Sequence, residues 1–318
     1  MDQTHPLIDI IVCNYNEKFL TAKCLDSVLK SDYTDYNIVL VDDCSTDDSV
    51  DFFSKYYPGI KIIKNRNNLG AALARNAGIA NGHAKYVVTM DNDATLSPFW
   101  LGQMVRLMET EPQIGQAVGK ILRADDPQLI AAAGGSLMFR GRGYDIGSGA
   151  PVDELRYNQR RQVLYACSAS MIIRRAVLNK VGGFYGGYYH GYEDTDLSLR
   201  INLAGHQVVY LPAAVSYHRL SATVVNTIKR QKNTYLFMRN RLLLMFRNYE
   251  DASLRKYLPQ NLRFNLRLCW EHPENILPFI KSVISVVCNF FNILEARKEM
   301  NAIRQVSDRD LASLFNLE

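Results

Sequence analysis

Four short apolar runs, each followed by a polar stretch or a helical pattern, constrain this chain more than any other feature. Residues 7–12, 38–41, 60–63 and 86–90 are too short for helices and almost continuously apolar. That pattern predicts strands buried on both faces. Between them, residues 17–31 carry Leu20, Cys24, Leu25, Val28 and Leu29 at helical spacing. A second helix is expected to run to about Tyr57, opened by Ser45 and Asp48 as a capping box. Residues 69–80 are alanine-rich and read as a third helix, and Pro98 suits the first turn of a fourth. This alternation requires an α/β fold with a mostly parallel sheet and right-handed crossovers.

In such sheets ligands bind beyond the carboxyl ends of the strands. Three of the four predicted strand ends carry polar clusters: Asn14-Tyr15-Asn16, Asp42-Asp43 and Asp91-Asn92-Asp93. Residues 114–217 are more mixed. They contain glycine-rich turns at 134–135 and 141–149, short helices at 174–181 and 193–203, and strands at 208–211 and 215–217.

After His218 the sequence becomes helical and basic. The whole chain of 318 residues has a net charge of +5. From position 219 onward, 16 Lys and Arg stand against 9 Asp and Glu, so the front part is mildly acidic. The length suits about two units, and we divide it into residues 1–218 and a C-terminal region, 219–318. A basic back part suggests an anionic partner. The six cysteines form no C-x-x-C, so a zinc or thioredoxin-type site has no support, and free thiols in a reducing, cytoplasmic compartment are expected. The N-terminal residues lack the pattern of a signal peptide. The most apolar stretch, 277–294, is interrupted by Lys281, Asn289 and Asn292 and is too short and polar for a membrane span. Two uses remain open for it: an apolar face at the inner membrane surface, or a helical cap or homodimer contact.

Two carboxylates two positions apart at a strand end, Asp91 and Asp93, can face one cavity. Mg²⁺ or Mn²⁺ commonly bridges such oxygens to substrate phosphates; a solvated turn is the alternative. Asp42 could accept from a base edge or ribose, or could cap a helix. Gly70 opens a helix with Arg75 one turn in, where phosphate is favoured. Glu193, Asp194 and Asp196 at a helix start either suit the helix dipole or supply a general base. His218 gains significance only if its strand returns to the aspartates.

Together these pieces resemble the family 2 glycosyltransferases of GT-A nucleotide-sugar fold, especially bacterial rhamnosyltransferase-type and O-antigen or capsule enzymes. The matching stretches are Ile10 to Asn16, Val41 to Asp47, Asn68 to Gly78, Asp91-Asn92-Asp93, Val181 to Phe184 and Glu193 to Leu197, with the later pair Arg239-Asn240. The resemblance covers residues 7–218. It implies a Rossmann-like sheet flanked by helices, with a C-terminal helical extension. It also implies a metal-dependent, inverting hexosyltransferase-type enzyme. The donor would be a UDP- or dTDP-sugar and the acceptor a glycan or lipid-linked saccharide hydroxyl in cell-surface polysaccharide synthesis. By the same resemblance, Asn14, Tyr15, Asp42, Arg75, Asp91, Asn92 and Asp93 bind the nucleotide sugar. Asp91, Asp93 and His218 hold Mn²⁺ or Mg²⁺, Asp194 is the catalytic base, and Glu193 orients the base or acceptor. Gly186-Gly187 and His190-Gly191 depart from the family pattern on the acceptor side.

An NAD-dependent oxidoreductase would need a glycine fingerprint after the first strand, where Cys13-Asn14-Tyr15-Asn16-Glu17 stands instead. No recognised nucleic-acid motif accompanies the basic segment, so no nucleic-acid partner is expected. A nucleotide-sugar binding module without catalysis is the main alternative.

Overall fold

A computed structural model describes residues 8–219 and 227–316. Leu7 and the segment just past Arg219, where the boundary between the two units was placed, lie outside the described residues. The elements in chain order are β1 (Ile8–Asn14), α1 (Lys18–Leu29), β2 (Tyr36–Asp42), α2 (Ser49–Tyr56), β3 (Lys61–Lys64), α3 (Ala71–Ala80), β4 (Tyr86–Met90), β5 (Ala94–Leu96) and α4 (Trp100–Thr110). The middle contributes β6 (Ile114–Arg123), β7 (Ile130–Ala132), β8 (Gly135–Leu137), β9 (Gly143–Asp145), β10 (Arg161–Gln162), β11 (Ser170–Arg174), α5 (Arg175–Val181), α6 (Glu193–Leu203) and β12 (Gln207–His218). Four helices follow: α7 (Thr227–Asn248), α8 (Asp251–Glu271), α9 (Ile276–Cys288) and α10 (Phe290–Ile303).

The main sheet runs β10-β12-β6-β11-β4-β1-β2-β3. Strands β4, β1, β2 and β3 are parallel neighbours, as their apolar character predicts. Alternate residues feed two cores. Ile11, Val39, Val41 and Val87 face one side, and Ile10, Val12, Leu40, Val88 and Met90 the other. Each such buried side chain contributes about 1.5–3 kcal/mol relative to exposure.

Strand β11 inserts antiparallel between β4 and β6. Neither β6 nor β11 stands out in the sequence, because Gln116, Lys120 and two glycines interrupt the apolar run of β6. Inside the fold Gln116 Nε2 donates to Met171 Sδ at 2.8 Å and Lys120 Nζ to Asn158 and Val152, while Gln116 Oε1 is buried without a partner. The two expected strands at 208–211 and 215–217 are one bulged strand, β12, whose pairing with β6 shifts between Leu211 and Val215. A Cβ at Gly119 would lie 1.9 Å from Ala214 O, so the bulge needs glycine opposite it.

Helix α2 begins later than expected. Ser45 turns back to Asp42 instead of capping, and Asp47 Oδ1 accepts from Ser49 N at 3.1 Å at the helix start.

The C-terminal helices share a core with the front part. Leu242, Leu243, Leu244, Met245, Val286, Ile293 and Met300 pack with Leu137, Leu164, Tyr188, Leu199 and Leu203. A buried polar knot fastens the same seam. Asp196 accepts from Arg200 Nε (2.8 Å), Asn248 Nδ2 (2.8 Å), Tyr188 Oη (3.0 Å) and Arg247. Burial pushes its carboxyl up, yet Arg247 and Arg200 outweigh that and hold it at about 2.

Candidate active site

The carboxyl ends of β1, β2 and β4 meet in one hydrogen-bonded row. Asn92 Nδ2 donates to Thr21 Oγ1 (3.2 Å), and Thr21 donates to Asn14 Oδ1 (2.7 Å). Asn14 Nδ2 donates to Asp42 Oδ1 (2.9 Å) and Ser45 Oγ (3.1 Å). Asp42 is buried and also accepts from Ser45 N and Oγ. Asn14, Asp42 and Asn92 therefore build the floor, while Tyr15 stands exposed at the rim. The start of α3 already has its anion: Asp43 accepts from Leu69 N and Gly70 N at 2.9–3.1 Å. Asp43 thus holds the two amides of the turn just before α3.

Beside this floor, β5 pairs antiparallel with β12 and sets Ala94 opposite His218. His218 Nε2 consequently lies 3.1 Å from Asp93 Oδ1. One ligand atom each from Asp91, Asp93 and His218 all fall within 4.8 Å of one another. Two carboxylate oxygens and an imidazole nitrogen brought this close are a donor set of the kind that holds Mg²⁺ or Mn²⁺. Burial pulls the His218 pKa down, but Asp93 and Asp91 overcome it and raise it. The site thus favours added positive charge, which a divalent cation would supply.

Arg75 connects this cluster to the next motif. Its Nη2 donates to Asp91 Oδ1 (2.5 Å) and Ser168 Oγ (2.9 Å), and its Nη1 to Glu193 Oε1 (2.9 Å). It is 4% exposed and stacked against Phe184, so it serves as a buried bridge between carboxylates. Burial pushes the Asp91 carboxyl up; Arg75 and His218 reverse that and hold it below its ordinary value. Glu193 Oε2 is buried with no hydrogen-bond partner.

Asp194, the next residue, accepts from Ser168 N (3.1 Å) and Thr195 N (2.6 Å). Burial, then the charge of Glu193, raise its carboxyl to about 7, against smaller opposing effects of Ser168, Arg75 and Thr195. A base titrating there is suited to proton transfer near neutral pH. Asp194 lines a cavity of about 590 Å³ between β9 and helices α7 and α8, with Asp145, Tyr165, Phe237, Arg241 and Phe264 also in the wall. A larger cavity, about 690 Å³, opens at the opposite ends of β1 and β2; its lining carboxylate, Asp9, is paired with Arg175 at 2.7 Å.

The loop before α6 is held from the C-terminal region. Asn240 Nδ2 donates to the carbonyls of Tyr188, His190 and Gly191 at 3.2, 3.0 and 2.7 Å, and Arg239 Nη2 to those of Gly187 and Tyr188. Gly191 has φ +78°, and a Cβ there would sit 3.2 Å from Phe237. The departure His190-Gly191 is therefore the turn that aims Glu193 and Asp194.

Sequence reasoning did not single out Ser168, Asp145 or Tyr165. Asp145 accepts from Tyr165 Oη at 2.9 Å, and burial raises its pKa. All three lie in irregular or very short segments whose pattern carries no signal.

Comparison with known proteins agrees with this geometry. The sequence profile of Glycosyl transferase family 2 matches residues 9–182. An uncharacterized glycosyltransferase of Haemophilus influenzae is 32% identical over 120 residues, 37% of each chain. The N-acetylglucosaminyl-diphospho-decaprenol L-rhamnosyltransferase of Mycobacterium tuberculosis is 26% identical over 231 residues, covering 64% of this chain and 75% of that one. Over the first two curated relatives, the match spans only 37% and 25% of their own lengths. Among solved structures, GalNAc-T7 with UDP, GalNAc and Mn²⁺ superposes with a TM-score of 0.66 at 14% identity, covering 92% of this chain and 58% of that one. The chain belongs to glycosyl transferase family 2 and has the GT-A fold.

Proposed function

We propose that this chain is an inverting, metal-dependent glycosyltransferase that moves a sugar from a UDP- or dTDP-sugar to a hydroxyl of a glycan or lipid-linked acceptor in cell-surface polysaccharide synthesis. One observation carries the reading. Asp194 lines the 590 Å³ cavity, and Ser168 and Arg75 link it to Asp91 of the Asp91–Asp93–His218 cluster. A donor at the cluster and an acceptor in the cavity would meet beside Asp194, the arrangement that a single inverting displacement uses.

Asp91, Asp93 and His218 would hold the cation, which when bound supplies charge neutralisation for the donor diphosphate. Tyr15, over the floor of Asn14, Asp42 and Asn92, walls the nucleotide. Asp194 accepts the proton of the attacking hydroxyl, and Glu193, fixed by Arg75, keeps the Asp194 carboxyl basic. The name of the mycobacterial relative describes transfer to a lipid-diphosphate sugar, which supports an acceptor of that class.

The apolar side chains Trp270, Leu277, Ile280, Ile284, Val287 and Phe291 are exposed along α8, α9 and the start of α10. We assign this face of residues 219–318 to peripheral contact with the inner face of the membrane; a homodimer seam is the competing use. Among the described residues, no single helix is long and apolar enough to cross a membrane. The test is a donor panel: UDP-, dTDP- and GDP-sugars with Mn²⁺ or Mg²⁺, scored for binding and slow hydrolysis. Binding of none of them in either metal contradicts the reading, and hydrolysis or transfer separates an enzyme from an inactive binding module.

A further inference from the structure

Among the described residues, four arginines are fully buried, and all but Arg241 are compensated by carboxylates. Arg75 faces Asp91 and Glu193, and Arg200 and Arg247 face Asp196. Arg241 has no such partner, and neither have half-buried Arg140 and exposed Arg142 beside it. Arg241 is 7% exposed, and its one side-chain hydrogen bond is long, 3.5 Å to Asn265 Oδ1. The Nε atoms of Arg140 and Arg241 are buried without an acceptor. No acidic side chain among the described residues forms an ion pair with any of the three.

The fold brings them together deliberately. Arg140 and Arg142 flank Gly141 in the β8–β9 hairpin turn. Gly141 has φ +81°, and a Cβ there would meet Met245 and Arg241 at 2.9–3.0 Å, so glycine lets the turn press against α7. Asn261 of α8 anchors the turn through Arg140 O at 2.8 Å. The guanidinium groups of Arg140 and Arg241 lie 4.7 and 5.3 Å from the centre of the same ring, Phe264. A buried guanidinium left unpaired opposes folding unless an anion joins it. Burial, then the charges of Arg142 and Arg241, lower the pKa of Arg140. Arg142, Arg241 and Phe264 line the cavity that contains Asp194.

We infer that Arg140, Arg142 and Arg241 form an anion subsite that binds a phosphate or diphosphate ester of the acceptor. Planar guanidinium forks suit phosphoryl oxygens, and three of them match a doubly charged group. The inference rests on reading this cavity as the acceptor side. Apolar neighbours Phe237, Met238, Phe264 and Leu268 in the same wall suit the hydrocarbon of a lipid-linked ester.

The test uses the full chain without divalent cation, titrated calorimetrically with geranyl diphosphate, geraniol and glucose 1-phosphate. Geranyl diphosphate is expected to bind at least tenfold more tightly than geraniol. Its affinity should fall at least tenfold in Arg142→Gln, an exposed position that leaves the core intact, and further in Arg140→Gln/Arg142→Gln. Equal Arg-dependent binding of glucose 1-phosphate supports the subsite and identifies a phosphorylated glycan as its source. Binding unchanged by the arginine substitutions, binding lost in Asp93→Ala, or no binding of either phosphate overturns it. UDP binding in Mn²⁺ is scored separately: its absence sinks the donor reading and leaves the subsite standing.

Discussion

Glu193 Oε1 accepts from Arg75 Nη1 at 2.9 Å across 118 positions of sequence, and the same guanidinium holds Asp91 through Nη2. The strand-end acid and the helix-start acid are thereby fixed to one cation. Replacing Arg75 with Met removes that cation and leaves buried carboxylates facing each other. The expected loss is about 3–5 kcal/mol of stability, read as a lower urea midpoint with unchanged slope.

Asn240 acts at a distance from the chemistry. Its amide serves three loop carbonyls that precede Glu193. Asn240→Ala should cost about 1–3 kcal/mol in unfolding. It should also lower kcat more than it raises the KM for donor, because the loop aims Asp194 while the nucleotide floor is untouched. A normal kcat with a raised donor KM would contradict the latch.

Metal removal gives the third expectation. EDTA should abolish transfer, and Mn²⁺ should restore it. Asp93→Ala should need at least tenfold more Mn²⁺ for half-maximal binding by electron paramagnetic resonance, with a smaller shift for His218→Ala, since a ligating imidazole is neutral and a carboxylate brings a negative charge.

Much of this site is legible in the sequence because strand ends declare themselves. A buried parallel strand must stop where Asn14, Asp42 and Asp91 begin, and the sheet carries those stops to one edge. His218 became meaningful only through the antiparallel register of β5 with β12, which no local pattern encodes. Ser45 shows the converse: its spacing to Asp48 suggests a cap, but Asp42 and Asn14 compete for it and win. The roles of Arg75 and Asp43 were equally hidden. Each looks like a ligand contact locally, and each is satisfied by a partner more than 15 positions away. The helical region reads as basic and amphipathic, yet its part in aiming the loop depends on Arg239 and Asn240 meeting carbonyls, which carry no side-chain signature.

The raised Asp194 carboxyl sets a pH dependence of definite sign. Between its ordinary value of 3.8 and about 7, the folded chain binds more protons at Asp194 than the unfolded chain. Its contribution to stability is therefore fully present below that window and declines as pH rises through it. Wild type minus Asp194→Asn should show that decline in urea midpoints. Activity runs the other way, because the base must be deprotonated: kcat/KM should rise with pH through an apparent pKa well above that of an ordinary aspartate.

The central claim is that Asp194 takes the acceptor proton while the donor sits on the Asp91–Asp93–His218 side. The direct measurement is the transfer rate of Asp194→Asn with donor affinity determined in parallel. The account predicts a loss on the order of 10²–10⁴ in kcat, with the donor Kd within twofold of wild type. Transfer near the wild-type rate, or a rate loss explained by lost donor binding, would contradict it.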